Sequence, residues 1–161
     1  MVNFTGSGVA LITPFTKNNK INYDKIDELI EYHICNNTDF IVVCGTTGES
    51  STLSNTEKKQ LISYICKKCK NKIPVVAGTG SNNTKIALNM SKYAKSQGAD
   101  GVLVVTPYYN KCNQNGLFVH YKKIAEAIYP TPLILYNVPS RTGVDISVET
   151  IVKLSKIPNI V

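Results

Sequence analysis

Short apolar runs recur along the chain, and each is followed by the same two things. A polar, Gly-, Pro- or Thr-containing segment comes first, then a stretch with helical spacing. The runs cover residues 8–12, 40–44, 73–77, 101–105 and 132–136, rich in Val, Ile and Leu. They are nearly continuous rather than alternating. Strands of that kind are buried on both faces, which predicts a parallel sheet in an α/β fold.

The intervening helices announce their ends. One begins near Asn22 and shows Ile26, Leu29, Ile30, His33 and Ile34 on one face. A second opens at Ser54, with Glu57 three residues on, the pattern of a capping box. A third starts after Asn82-Asn83 and runs to Gly98, placed to serve as the glycine just past a helix end. A fourth spans roughly 116–128, and a fifth starts near Ser147 and fades by Ile157-Pro158. Asn159-Ile160-Val161 then reads as the first step of a sixth strand.

Two architectures fit this plan: an open doubly wound sheet and a (β/α)8 barrel cut short. Polar loops follow strands two, three, four and five, all at their C-terminal ends. Barrel enzymes assemble sites from many strand ends, whereas doubly wound folds use one switch point. The expectation is therefore an incomplete (β/α)8 TIM barrel. Residues 1–161 would form about its first five βα units, with the remaining strands and a C-terminal helical region absent.

Composition narrows the function classes. The chain has 161 residues, 43% hydrophobic and 18% charged, ordinary for one globular core. No apolar run approaches the roughly 20 residues that span a bilayer. Met1-Val2-Asn3-Phe4-Thr5-Gly6 does not read as a secretory leader. A cytoplasmic protein with no membrane partner is expected. Cys66 and Cys69 form a C-x-x-C inside a helical pattern, with no second pair or neighbouring His to complete a metal set. Gly78-Thr79-Gly80 lacks the third glycine of a dinucleotide fingerprint, since Asn83 stands there. No metal or cofactor is expected. The net charge is +7, with lysines at Lys67, Lys68, Lys70 and Lys72 and at Lys122 and Lys123. They fall on the polar sides of helices without an aromatic platform, so nucleic acid is not an expected partner. His33 and His120 belong to no catalytic motif.

Three loops carry candidate chemistry. Gly45-Thr46-Thr47-Gly48-Glu49-Ser50 combines a tight turn with hydroxyls and amides suited to a small carboxylate. Thr106-Pro107-Tyr108-Tyr109-Asn110 places two tyrosines at a strand end. Tyr136-Asn137-Val138-Pro139-Ser140-Arg141-Thr142-Gly143 holds the lone arginine among 18 basic residues. A planar guanidinium grips a carboxylate through two bonds, which lysine cannot do.

Taken together, these three motifs resemble the dihydrodipicolinate synthase / N-acetylneuraminate lyase family of class I aldolases, from about Gly6 to Val161. The double threonine and Ser140-Arg141-Thr142 resemble the dihydrodipicolinate synthase branch most. The resemblance implies condensation of pyruvate with aspartate semialdehyde in lysine and diaminopimelate biosynthesis, through a Schiff base on a lysine. It implies that Thr46, Tyr136 and Tyr109 relay protons, with Tyr109 reaching a neighbouring subunit's site in a dimer or tetramer. It implies that Gly45 and Thr47 hold pyruvate and that Arg141 holds the second substrate's carboxylate. Hydroxyls both donate and accept, so such a chain can pass a proton without stranding a charge. Asn82, Tyr108 and Ser50 match positions of a lysine-effector site, but Asn55, Lys58 and Ile86 depart from it. The family's Schiff-base lysine follows a segment like Asn159-Ile160-Val161, and no lysine of this chain stands there. The chain is accordingly expected to be a fragment, inactive alone. A sister pyruvate aldolase acting on sialic or keto-deoxy-gluconic acids, and a non-catalytic pyruvate-binding remnant, remain as alternatives.

Overall fold

The computed structural model describes residues 4–161. The leader reading at Met1, Val2 and Asn3 lies outside the described residues. The elements are β1 (Gly8–Ala10), α1 (Tyr23–Cys35), β2 (Phe40–Val43), α2 (Asn55–Cys69), β3 (Val75–Gly78), α3 (Thr84–Ser96), β4 (Gly101–Val105), α4 (Gln114–Ile128), β5 (Leu133–Tyr136), α5 (Pro139–Thr142) and α6 (Val148–Leu154).

The five strands form one parallel sheet in the order β1-β2-β3-β4-β5. Every crossover advances by one strand in the same direction. Because such connections share one hand, the order places the helices on one side of the sheet. There is no reversal of strand order and hence no switch point. The doubly wound alternative is excluded, and the sheet is a half-barrel.

On the helix side, Ile41, Val43, Ala77, Val102, Val104 and Leu133 pack against Ile26, Ile62, Ile65, Leu117, Ile124 and Ile128 in one buried cluster. Each of the Val, Leu and Ile side chains contributes about 1.5–3 kcal/mol by leaving water. The other side departs from the expectation of strands buried on both faces. The register pairs Gly78 with Leu103, Leu103 with Ile134, and Val105 with Tyr136. This row lies on the concave wall, and Val42, Leu103, Val105, Ile134 and Tyr136 are only half-buried. The continuous apolar pattern serves two different surfaces: the helix layer and the barrel interior.

Helix starts follow their caps. Ser54 Oγ accepts from the Glu57 N–H at 3.2 Å, and Glu57 Oε2 accepts from the Ser54 N–H at 2.8 Å. Asn22, Asn83 and Ser147 cap α1, α3 and α6 with their side chains. Asn113 starts α4 at Gln114, slightly earlier than expected, by accepting from the Gly116 N–H at 2.8 Å. The third strand begins at Val75, because Pro74 has no N–H to give the ladder. The segment 159–161 does run beside β5: Leu133 donates to the Asn159 carbonyl at 2.7 Å, and Val161 donates to the Leu133 carbonyl at 3.1 Å. Asn159 anchors it, donating from Nδ2 to the carbonyls of Ala125 and Thr131, both at 2.9 Å.

Candidate active site

The loops at the C-terminal ends of β2, β4 and β5 converge. After β2 the chain turns through Cys44, at φ +56°, into buried Gly45 and exposed Thr46 and Thr47. The turn is closed by the Glu49 N–H to the Thr46 carbonyl at 3.0 Å. Thr13 Oγ1 donates to the Gly48 carbonyl at 2.7 Å and ties this loop to the end of β1. A Cβ at Gly48 would stand 2.9 Å from the Leu11 carbonyl oxygen, so the close approach requires glycine. Burial pushes the neighbouring Cys44 thiol up to about 12, which leaves it protonated and unreactive near neutral pH.

After β4, Thr106 and Pro107 are buried while Tyr108 and Tyr109 emerge. Tyr109 sits at φ +72° and is 89% exposed. A tyrosine held in left-handed backbone and this exposed buries little of its ring against its own chain. After β5, Tyr136 stays half-buried on the concave wall. Arg141 lies on the single turn of α5, exposed and, among the described residues, in no ion pair.

Two adjoining cavities result. One of about 280 Å³ is lined by Gly45, Thr46 and Tyr136 together with Ser50, Asn82 and Tyr108. The other, of about 760 Å³, is lined by Thr46, Ser50, Tyr108, Tyr109 and Arg141. Thr46, Ser50 and Tyr108 belong to both, so the predicted site residues occupy one continuous hollow. Thr47 is the exception: its side chain is exposed and lines neither cavity.

The charges around the hollow all have one sign. Lys58 lines both cavities, and Lys111 and Arg141 line the larger; no acidic residue lines either. Such a hollow favours anionic ligands. No motif in the sequence marks Lys111. Its only signal was its place two residues past the paired tyrosines. Asn55, Lys58 and Ile86 do gather with Asn82, Tyr108 and Ser50 in the smaller cavity, so the departures from the effector pattern meet at one place.

The remaining candidates stand apart. Cys66 and Cys69 are buried on α2, and burial raises their thiols to about 12 and about 11. Among the described residues, no group of three or more His, Cys, Asp and Glu is placed to hold a metal ion. His120 is buried on α4, its Nδ1 bonded to Thr84 Oγ1 at 2.9 Å. Among the described residues, no helix is long and apolar enough to cross a membrane.

The sequence model of the dihydrodipicolinate synthetase family matches residues 3–161. The chain belongs to that family. It is 52% identical over its full length to the 4-hydroxy-tetrahydrodipicolinate synthase of Clostridium novyi (strain NT), covering 54% of that relative. It is 54% identical to the enzyme of the same name from Acetivibrio thermocellus, over 98% of this chain and 53% of the relative. The fold superposes on dihydrodipicolinate synthase from Aquifex aeolicus with a TM-score of 0.95 at 50% identity, covering 98% of this chain and 54% of that one. The chloride-inhibited enzyme from Acinetobacter baumannii, solved with pyruvate, gives a TM-score of 0.95 at 52% identity, over 99% of this chain and 54% of that one. The chain thus spans about half the length of the curated relatives it matches.

Proposed function

We propose that this chain is the part of a 4-hydroxy-tetrahydrodipicolinate synthase that binds substrates and moves protons, in lysine and diaminopimelate biosynthesis. The supporting observation is the acid-free cationic hollow in which Thr46 and Tyr136 share one wall and Arg141 stands at the mouth. Both substrates of that reaction, pyruvate and aspartate semialdehyde, are carboxylates. The similar Acinetobacter baumannii enzyme was solved with pyruvate bound.

In this reading a lysine amine attacks the pyruvate carbonyl and expels water, giving an imine. Loss of a methyl proton turns it into an enamine, whose carbon attacks the aldehyde of the second substrate. The lysine is supplied by the sixth strand, which Asn159, Ile160 and Val161 begin beside β5. The turn through Gly45 and Thr47 offers the pyruvate carboxylate backbone donors, the Thr47 side chain itself standing outside the hollow. Thr46 and Tyr136 pass the protons that imine formation releases and consumes. Tyr109, exposed at the rim of the larger cavity, completes the relay in a neighbouring copy of a homodimer or homotetramer. Arg141 holds the carboxylate of the semialdehyde through two parallel bonds. The enzyme works in the cytoplasm without a cofactor. Lys58 places a positive charge beside Asn82, Tyr108 and Ser50, where it opposes the binding of a cationic lysine effector.

Borohydride reduction in the presence of pyruvate, on the protein purified from its native source and read by intact mass, tests this. The expected result is an irreversible gain of pyruvate less water plus two hydrogens. An unmodified protein turns the reading into that of a non-catalytic pyruvate-binding remnant. Turnover with sialic acid in place of aspartate semialdehyde moves it to a sister aldolase.

A further inference from the structure

Side chains that the proposed chemistry leaves unused hold the loop of Arg141 at its base. Asn137, the first residue after β5, donates from Nδ2 to Asp145 Oδ1 at 2.6 Å. Its Oδ1 accepts from the Ile146 N–H at 3.3 Å. These two bonds close the β5–α6 connection into a ring across its neck. Gln114, at the start of α4, reaches the same neck. Its Nε2 donates to the Asp145 carbonyl at 2.8 Å, and its Oε1 accepts from the Ser147 N–H at 3.0 Å. Within the ring, buried Thr142 donates from Oγ1 to the Val144 carbonyl at 3.0 Å, and Gly143 reverses the chain at φ +69°.

Arg141 itself has no side-chain hydrogen bond or ion pair among the described residues. The loop spends five bonds on its frame and leaves the guanidinium free to face the larger cavity. A long side chain on a loose loop would have to order both backbone and rotamers on each binding event. A framed loop has its backbone ordered during folding. Gln114 also follows directly on the segment that carries Tyr109 and Lys111. The frame therefore fixes the β5 loop relative to the β4 loop, and with it the gap that Arg141 and Tyr109 span.

We propose that Asn137, Asp145 and Gln114 are positioning residues that act through Arg141 and set the recognition of a carboxylate-bearing acceptor, leaving pyruvate binding untouched. The inference rests on the reading of Arg141 as the acceptor's anchor. Two substitutions of Asp145 in the complete native protein separate geometry from charge. Asp145→Ala removes the acceptor of the Asn137 bond, whereas Asp145→Asn keeps an oxygen there and removes only the charge. The readouts are the KM values for aspartate semialdehyde and pyruvate, and phenylglyoxal labelling of the Arg141 peptide with and without succinate.

In Asp145→Ala, the semialdehyde KM should rise on the order of tenfold, with the pyruvate KM and borohydride trapping unchanged. Protection of Arg141 by succinate should be lost, and Asp145→Asn should restore both. Gln114→Ala, an exposed side chain, should move the same readouts if Asp145→Ala does not fold. Wild-type semialdehyde KM and intact protection in folded Asp145→Ala would overturn the proposal. So would an equal rise in both KM values, the mark of simple loosening. A wild-type protein that neither traps pyruvate nor turns over the semialdehyde fails differently: it removes the functional reading, and the positioning role with it.

Discussion

His120 makes the fold sensitive to acid, and the size of the effect follows from its surroundings. The ring is 3% exposed between α3 and α4. Its Nδ1 meets Thr84 Oγ1, while Nε2 has no partner among the described residues. A proton added to the ring would put a buried charge on an N–H with no acceptor. Burial accordingly lowers its pKa from 6.5 to about 4. The sign follows. The unfolded chain takes up a proton as pH falls through 6.5, but the folded chain does not until about 4. The unfolded state binds more protons across that window, so stability declines from pH 6.5 downward, and the loss is complete below about 4. At pH 5 the loss is about 2 kcal/mol, and it approaches about 3 kcal/mol at lower pH. Domains of this size are stable by roughly 5–15 kcal/mol, so the term is large. Urea unfolding at pH 7.5 and pH 5 measures it in wild type and in His120→Asn, which keeps a partner for Thr84 and does not titrate. The pH-dependent loss should shrink by about 2 kcal/mol in the variant. An identical loss in both proteins would refute the assignment.

Four further outcomes are expected of the complete protein. Arg141→Lys keeps the charge and loses the paired bond, so the KM for aspartate semialdehyde should rise about tenfold or more while that for pyruvate holds; steady-state kinetics with each substrate varied checks this. Tyr136→Phe removes one hydroxyl of the relay, and kcat should fall on the order of 10²- to 10⁴-fold without loss of folding by circular dichroism. Gly78→Ala would place a Cβ 2.1 Å from the Cys44 carbonyl oxygen, a backbone contact that cannot yield cheaply. It should cost about 1–3 kcal/mol or more, read as a lower denaturant midpoint. L-Lysine at millimolar concentration should leave the rate unchanged, because Lys58 stands in the cavity that its ammonium would enter; inhibition of the wild-type protein at those concentrations would contradict the charge argument.

Which features could be read from the sequence follows from the range of the forces that make them. Ser54 with Glu57, and the caps Asn22, Asn83 and Ser147, stand where the sequence predicts them, because a cap satisfies amides only two or three residues away. The gathering of Thr46, Tyr136 and Arg141 was also readable, since parallel strands in sequential order bring all their C-terminal ends to one rim. The helical turn at Pro139–Thr142 was not. Pro-Ser-Arg-Thr-Gly reads as loop. Asn137 pairs with Asp145 eight residues on, and Gln114 reaches Ser147 from 33 residues away, so no local pattern records either bond. The backbone of Tyr109 was equally silent, for φ +72° is expected of glycine or asparagine and not of tyrosine. The half-exposed concave wall went unseen for another reason. Val105 and Ile134 are as apolar as their helix-facing neighbours, and a strand cannot signal whether helices or other strands cover its second face. The features that escaped the sequence are therefore the long-range ones. In the β5–α6 loop, they are the bonds that decide where the lone arginine stands.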